Sequence, residues 1–491
     1  MRTVIRGGRV VDPATGTDQI ADVVIDNDVI TAVIDEHPAD DTEREIDARG
    51  LVVGPGLIDL HSHAQSIQGQ RLQAMDGVTT SLDLEAGLSP VDRAYAKAAA
   101  EGRPLHYGFS ASWSAARGWA LTARKPDATI GSTFALIGDP RWQRASSPGE
   151  LNAWLRLLER ELASGALGIG VLQGYAPATP PEEFIQVAAL ASRSGVPVFS
   201  HVRELVEIDP ATPVDGPTEL VRAALETGAA LHHCHVNATS RRHVDRVLAT
   251  LDAATAAGAR VTVESYPYGS GSTAVGAAFL APDRLTAWGL QPTRVVMLSS
   301  GERVADARRL AELREVDPAA PCIVEFLDER DPGDRHILDR ALAFDDSIVA
   351  SDAIPLATPA GADDPYAWPP PSGTMTHPRT AGTFAKTLRT MVRETGAWSW
   401  HEAFRRCSWL PAQLLADFVP GAERKGRLAP GADADLVILD PVAVTDNATY
   451  LDPIRPSTGV RHLLVAGTPL VRGGELQLDV LPGRPLRRGS P

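Results

Sequence analysis

The 491-residue sequence predicts an α/β protein, a (β/α)8 TIM-like barrel with a small β-sheet domain built from both chain ends. Three observations carry this. From Gly56 onward, eight short apolar strand segments alternate with amphipathic helical stretches, the pattern of a parallel sheet with helical crossovers. Before Gly56 and after about residue 421, short alternating segments are separated by Gly, Pro and Asn turn signals, as in antiparallel sheet. Six of the eight strand segments also carry histidines or acids toward their C-terminal ends, where barrel enzymes place their catalytic groups.

In chain order, residues 1–55 hold the N-terminal sheet segments Thr3 to Ile5, Arg9 to Val11, Ala21 to Ile25 and Val29 to Ile34. Residues 56–420 form the barrel. Its strand segments are Leu57 to His63, Thr79 to Gly87, His106 to Ser112, Ala166 to Val171, Pro197 to Val202, Ala230 to Val236, Arg260 to Tyr268 and Ser347 to Asp352. Ser147-Pro148-Gly149-Glu150 and Thr179-Pro180-Pro181-Glu182 read as capping boxes with Pro at the first helical position, and Gly165 and Gly195 close those two helices. Insertions at about 113–145 and 269–346, the latter with a helical pattern near Arg303 to Arg314, are too long for simple crossovers and are expected to roof an active site. Residues 421–482 complete the sheet domain. Residues 483–491, rich in Pro, Arg and Gly, form a mobile or surface-bound tail.

Hydrophobic content of 44% with 22% charged residues is ordinary for a soluble globular protein. A net charge of −15 argues against a nucleic-acid partner, whose phosphates demand clustered Lys and Arg. Cys234, Cys322 and Cys407 are too few and too scattered for a disulfide framework or a cysteine zinc knuckle, which fits a reducing compartment. No apolar leader region and no run of 18 apolar residues is found, so a soluble cytoplasmic protein without membrane contact is expected. Lysine occurs only at positions 97, 125, 386 and 425, which leaves few candidates for any role that demands one.

The chemistry sits at the strand ends. Strand one ends in His61 and His63, strand two in Asp83 and Glu85, strand five in His201 and Arg203, strand six in His232, His233, Cys234 and His235, strand seven in Glu264, Tyr266 and Tyr268, and strand eight in Asp352. Side chains alternate along a strand, so Asp59, His61 and His63 share one face, and His233 shares one with His235. With the odd face turned into the barrel mouth, His61, His63, Glu85, His201, His235 and Asp352 converge. Imidazole and carboxylate without thiolate suit Zn²⁺ or a similar first-row ion, and six such ligands can hold two.

These motifs resemble those of the amidohydrolase superfamily, and within it the N-acyl-D-amino-acid deacylases. The resemblance rests on Pro55 to His63, Asp76 to Thr80, Gly165 to Gly168 with Gly174 to Pro177, Ser200 to Glu204, Ser265 to Tyr268, Ala350 to Asp352, His377 to Thr380 and Gly431 to Leu436. It implies a β-sandwich composed from both chain ends beside the (β/α)8 barrel. It also implies that His61 and His63 bind the more exposed metal and His201 and His235 the deeper one. Asp352 then accepts a proton from water and delivers it to the leaving amine. The sequence departs from the family where strand two offers Glu85 instead of a cysteine ligand, and strand four has no lysine to carboxylate. Glu85 is read as the substitute metal ligand, bridging two ions or binding one, with a carboxylate that steers a histidine as the other reading.

For the substrate, the resemblance implies that Arg379 pairs with a free carboxylate, with Tyr268 and Ser272 or Thr273 assisting. Arg203 either serves that carboxylate or pairs with Glu204 or Glu264. His106, His232 and Cys234 are read as structural. The expected function is metal-dependent hydrolysis of the amide of an N-acyl amino acid, of D configuration. The cofactor is Zn²⁺ first, as one or two ions, with Mn²⁺, Co²⁺ and Fe²⁺ also fitting the donors. Two alternatives stand, a cyclic amidase of hydantoinase or dihydroorotase type and a non-catalytic scaffold. The partner is a small N-acylated molecule, and the sequence leaves a homo-oligomer open.

Overall fold

Apolar alternation at both chain ends resolves into one nine-stranded sheet. The computed structural model describes residues 2–38, 40, 42–362 and 364–489. The chain divides into two compact units. The first is Met1–Leu82, Ala98–Tyr107 and Ile348–Leu486, and the second is Asp83–Lys97, Gly108–Ser347 and Arg487–Pro491.

In the first unit, Arg2–Asp12 pairs antiparallel with Thr17–Asp26, which pairs with Val29–Ile34. Arg44–Asp47 and Val52–Pro55 run parallel to Arg2–Asp12. The C-terminal part joins through Leu436–Leu439, antiparallel to Val52–Pro55 in the register Leu436 to Pro55 and Leu439 to Val52. Val460–Val465, Thr468–Arg472 and Glu475–Leu476 extend the sheet from there. One face closes over Ile5, Val10, Val23, Ile25, Ile438 and Leu464, each buried. Burying each such side chain contributes about 1.5–3 kcal/mol.

Within this unit, strands read as barrel continue directly from the sheet. Leu57–Asp59 follows Val52–Pro55 after one residue and pairs in parallel with Val78–Asp83. Asp76, in the turn before Val78–Asp83, explains part of the grouping. Its carboxylate accepts the Phe384 and Ala385 backbone N–H groups at 2.8 and 3.0 Å and the Ser457 hydroxyl at 2.8 Å. Burial pushes its pKa up to about 8 against these donors. His106, read as structural, lies 2.9 Å from Asp435 through Nε2, and its Nδ1 accepts the backbone N–H of Arg484. The tail is surface-bound as far as Leu486. Gly483 N–H bonds to Arg103 O, and Leu486 N–H to Tyr107 O.

In the second unit, Ala111–Ser112, Ile169–Leu172, Val198–His201, Leu231–His233 and Val261–Ser265 form a parallel sheet in that order. Counting both units, each of the eight expected segments carries a strand. The capping box at Ser147 forms, with its hydroxyl on Glu150 N and Glu150 on Ser147 N. The box expected at Thr179 does not. Pro180 takes the N-cap position of Pro181–Ser194 and has no side-chain acceptor to offer. The 113–145 insertion folds as the helices Trp113–Thr122, Ile130–Phe134 and Pro140–Gln143. The 269–346 insertion holds the expected helical turns at Ala307–Val316. It also holds an unanticipated antiparallel sheet of Ser270–Ala274, Pro321–Glu325 and Val295–Met297. Among the described residues, no helix is long and apolar enough to cross a membrane.

Candidate metal centres

Each unit gathers its own set of imidazole and carboxylate side chains, the donor types that could hold a metal ion, at or just past strand ends. In the first unit, Ser62 bridges to Ala353 and the backbone N–H of His63 bonds to Ala353 O at 2.7 Å. This contact brings Asp352 to the two histidines. His61 Nε2 lies 3.2 Å from His63 Nε2 and 3.3 Å from Asp352 Oδ1, and His63 Nε2 lies 3.8 Å from the same oxygen. Donors 2.0–2.1 Å from a tetrahedral ion sit about 3.3 Å from one another, so two imidazoles and one carboxylate oxygen at these spacings fit an ion between them.

Asp59 holds the group in place. Its Oδ1 accepts the backbone N–H groups of His61 and Ser351, and its Oδ2 accepts Gln73 Nε2 at 2.7 Å and the Ser351 hydroxyl. Burial pushes its pKa up to about 6 despite these donors. Parity had placed Asp59 on the His61 face. Its bonding to the Ala350 to Asp352 segment was the part that sequence reasoning missed. Arg379 is fully buried, with Nη2 at 2.9 Å from Asp352 Oδ2. A buried guanidinium is costly unless paired, and Asp352 is the pair, so Arg379 meets a protein carboxylate where a substrate carboxylate was expected.

In the second unit, Glu85 Oε1 lies 3.3 Å from His201 Nδ1 and 2.7 Å from His235 Nε2. The first spacing suits two ligands of one ion. The second is of hydrogen-bond length and must open by about 0.6 Å to admit one. Gly174 allows the close packing of His201, since a Cβ there would fall 2.6 Å from His201 Cδ2. Tyr175 and Phe279 enclose the same imidazole, with Phe279 stacked at 5.6 Å and Tyr175 edge-on at 4.9 Å. Phe279 lies in the long insertion, where no pattern marks it as a partner of His201. His235 at φ +35° occupies the left-handed region, as does Asp352 at φ +51° in the first unit. Both residues lie just past a strand, Leu231–His233 and Ile348–Val349, and strained backbone of this kind gathers at functional sites.

His232 contacts Glu264 Oε2 at 3.0 Å and Thr262 Oγ1 at 2.8 Å, the supporting place expected of it. His233 is fully buried, and burial with the neighbouring imidazoles pushes it down to about 3, so it is neutral. Ser272 donates to Cys322 O at 3.0 Å, and Thr273 Oγ1 lies 2.8 Å from the Tyr175 hydroxyl. Tyr268 is buried, and its carbonyl accepts Asn237 Nδ2. Arg203 is not available to a substrate. Its Nε and Nη2 clasp Glu219 at 3.0 and 2.9 Å, Nη2 also reaches Thr179 O, and Nη1 bonds to Pro177 O. Neither of its expected partners, Glu204 or Glu264, takes that place. Glu219 lies sixteen residues on, in the helix Gly216–Thr227, a pairing that strand parity could not reveal.

Comparison with known proteins places these groups in a family. The model of the amidohydrolase family matches residues 165–471. The chain belongs to the amidohydrolase family. Two curated relatives come from Alcaligenes xylosoxydans xylosoxydans. The D-aminoacylase is 28% identical, covering 95% of this chain and 94% of that protein, and the N-acyl-D-aspartate deacylase is 29% identical, covering 99% and 95%. Among solved structures, D-aminoacylase superposes with a TM-score of 0.77 at 22% identity over 99% of both chains. The N-acyl-D-glutamate deacylase of Bordetella bronchiseptica, solved with zinc and a phosphonate inhibitor, gives 0.76 at 23% over 99% of both. These likenesses show the fold, a (β/α)8 barrel with a β-sandwich from both chain ends.

Proposed function

We propose that this amidohydrolase cleaves the amide of an N-acyl amino acid of D configuration, releasing the carboxylate and the amine. The observation that carries the reading is the pair of three-donor groups, buried His61, His63 and Asp352 in one unit and, in the other, buried Glu85 and His235 with partly buried His201. Two features support the substrate class. Full-length relatives are named for D-aminoacylase and N-acyl-D-amino-acid deacylase activity, whereas the dihydroorotase of Streptococcus pneumoniae covers only 18% of the chain. A scaffold would have no use for these donor sets, since burying polar groups without an ion to bind them is unfavourable.

Zn²⁺ fits the donors best, with Mn²⁺, Co²⁺ and Fe²⁺ as alternatives, because nitrogen and carboxylate oxygen are present and thiolate is not. A bound ion supplies a nucleophilic water near neutral pH and polarises the scissile carbonyl. The chain's own residues do the rest. Asp352 Oδ1 takes the proton of the attacking water and passes it to the leaving amine. Arg379 holds the other Asp352 oxygen, so the carboxylate keeps one orientation through both transfers. Glu85 joins two imidazoles as a hard oxygen ligand. Three buried, unbridged cysteines fit a reducing compartment such as the cytoplasm.

The reading is tested on the metal-loaded protein with N-acetyl- and N-formyl-amino acids in both configurations, alongside hydantoins. Amine release from the D series, absent in the L series, is expected. Turnover of hydantoins alone would transfer the chain to the cyclic amidases.

A further inference from the structure

Past His235, the second unit buries a cation that lacks one acceptor. Arg241 adopts φ +46° and ψ −125°, a backbone conformation that side-chain-bearing residues rarely accept. Its guanidinium carbon stands 3.7 Å from the Trp288 ring centroid and 5.5 Å from that of Phe326, both contributed by the 269–346 insertion. Nε donates to Ala238 O at 3.0 Å. Nη1 is buried and meets no hydrogen-bond acceptor among the described residues. A neighbouring acid does not supply one. Glu204 attracts Arg241 through space, but its Oε1 accepts the Trp288 indole N–H at 3.1 Å. Burial pushes Arg241 down to about 10 and the Glu204 carboxyl upward, as expected of charges that are incompletely compensated.

A buried guanidinium with an unmet N–H is unfavourable until an acceptor arrives, and the planar fork of arginine suits a carboxylate. The Trp288 ring and, at longer range, the Phe326 ring lie against the guanidinium and restrain it. The position is also close to the chemistry. Tyr266, which is near enough to Arg241 to act on its charge, packs against the His235 ring at 6.4 Å between centroids. An arginine kept only to support Trp288 would have no reason to hold a strained backbone and an open donor.

We propose that Arg241, framed by Trp288 and Phe326, binds a carboxylate of the substrate and acts as a specificity residue; the proposal rests on the deacylase reading. The carboxylate is either the α-carboxylate or that of an acidic side chain, and the test separates the two.

First, tryptophan emission of the full-length wild-type protein is followed during titration with succinate, against sodium chloride at matched ionic strength. A saturable change that disappears in both Trp288→Phe and Arg241→Gln is expected. No saturable change, or one that survives both substitutions, overturns the proposal. Second, KM and kcat are compared for wild type and Arg241→Met on N-acyl amino acids with one carboxylate, on those with two, and on an N-acyl amino-acid amide with none. KM is expected to rise about tenfold or more where the carboxylate is recognised, with kcat little changed. A rise on every carboxylate substrate assigns Arg241 to the α-carboxylate, and a rise confined to dicarboxylates assigns it to the side chain. An equal rise on the amide, or none anywhere, overturns the proposal. If Arg241→Met does not fold, Arg241→Lys, which keeps the charge and loses the fork, takes its place in this comparison. If no substrate of the panel is turned over, the deacylase reading fails, and the succinate titration alone decides Arg241.

Discussion

Asp352 is asked to do two things, to face an ion beside His61 and His63 and to carry a proton. Asp352→Asn separates them, because an amide oxygen still coordinates while the group can no longer accept a proton. Metal content near wild type with kcat reduced about 10²-fold or more is expected, and unchanged turnover would remove Asp352 from proton transfer. Glu85 poses the complementary question. Glu85→Ala leaves His201 and His235 as a two-donor set, so metal content measured after dialysis is expected to fall. Normal occupancy would make Glu85 a support for its histidines. Most of these residues were legible in the sequence, because side-chain alternation puts His61 and His63 on one face of strand one and sets His235, together with His233, apart from His232 and Cys234 on strand six. The partners of the arginines were not. Arg203 finds Glu219 and Arg379 finds Asp352 through tertiary packing, which no periodicity encodes.

At the level of elements, the candidate ligands lie at or just past strand ends, and the short turns beyond them set their geometry. The turn Gln173–Tyr175 does this for His201, because Gly174 has no side chain to displace the imidazole. Gly174→Ala is therefore expected to lower metal content without unfolding the chain, and full occupancy with normal activity would show that His201 tolerates the shift. The strands themselves were legible from apolar runs bounded by turn residues. The small sheet of the 269–346 insertion was not, because its strands are three to five residues long, too short to show a period. Thr179 misled for a related reason. Two prolines follow it, and the second rather than the first begins the helix.

Over the whole molecule, the chain-end sheet is tied down by buried charge as well as by apolar contact. Asp435 accepts Lys425 Nζ at 2.6 Å and the Ala466 N–H at 2.7 Å, and lies 2.9 Å from His106 Nε2. Burial alone would raise its pKa, but His106 and Lys425 hold it far below the usual carboxylate range. A depressed carboxylate contributes stability above its unfolded pKa of about 4, and that contribution is lost as pH falls through the folded value. Asp435→Asn, which leaves Lys425 short of a buried partner, is thus expected to cost about 3 kcal/mol at pH 7. In denaturant titrations the gap to wild type should narrow below about pH 4, and a gap independent of pH would assign the loss to packing.

Hydrolysis is expected to depend on divalent ions bound by the two three-donor groups. Metal analysis of protein purified without chelator, and again after reconstitution, tests it most directly when paired with an assay of amine release from an N-acetyl-D-amino acid. One or two ions of Zn²⁺, Mn²⁺, Co²⁺ or Fe²⁺ per chain are expected, with activity abolished by chelation and restored with the metal. A chain that binds no stoichiometric ion even after reconstitution would contradict it.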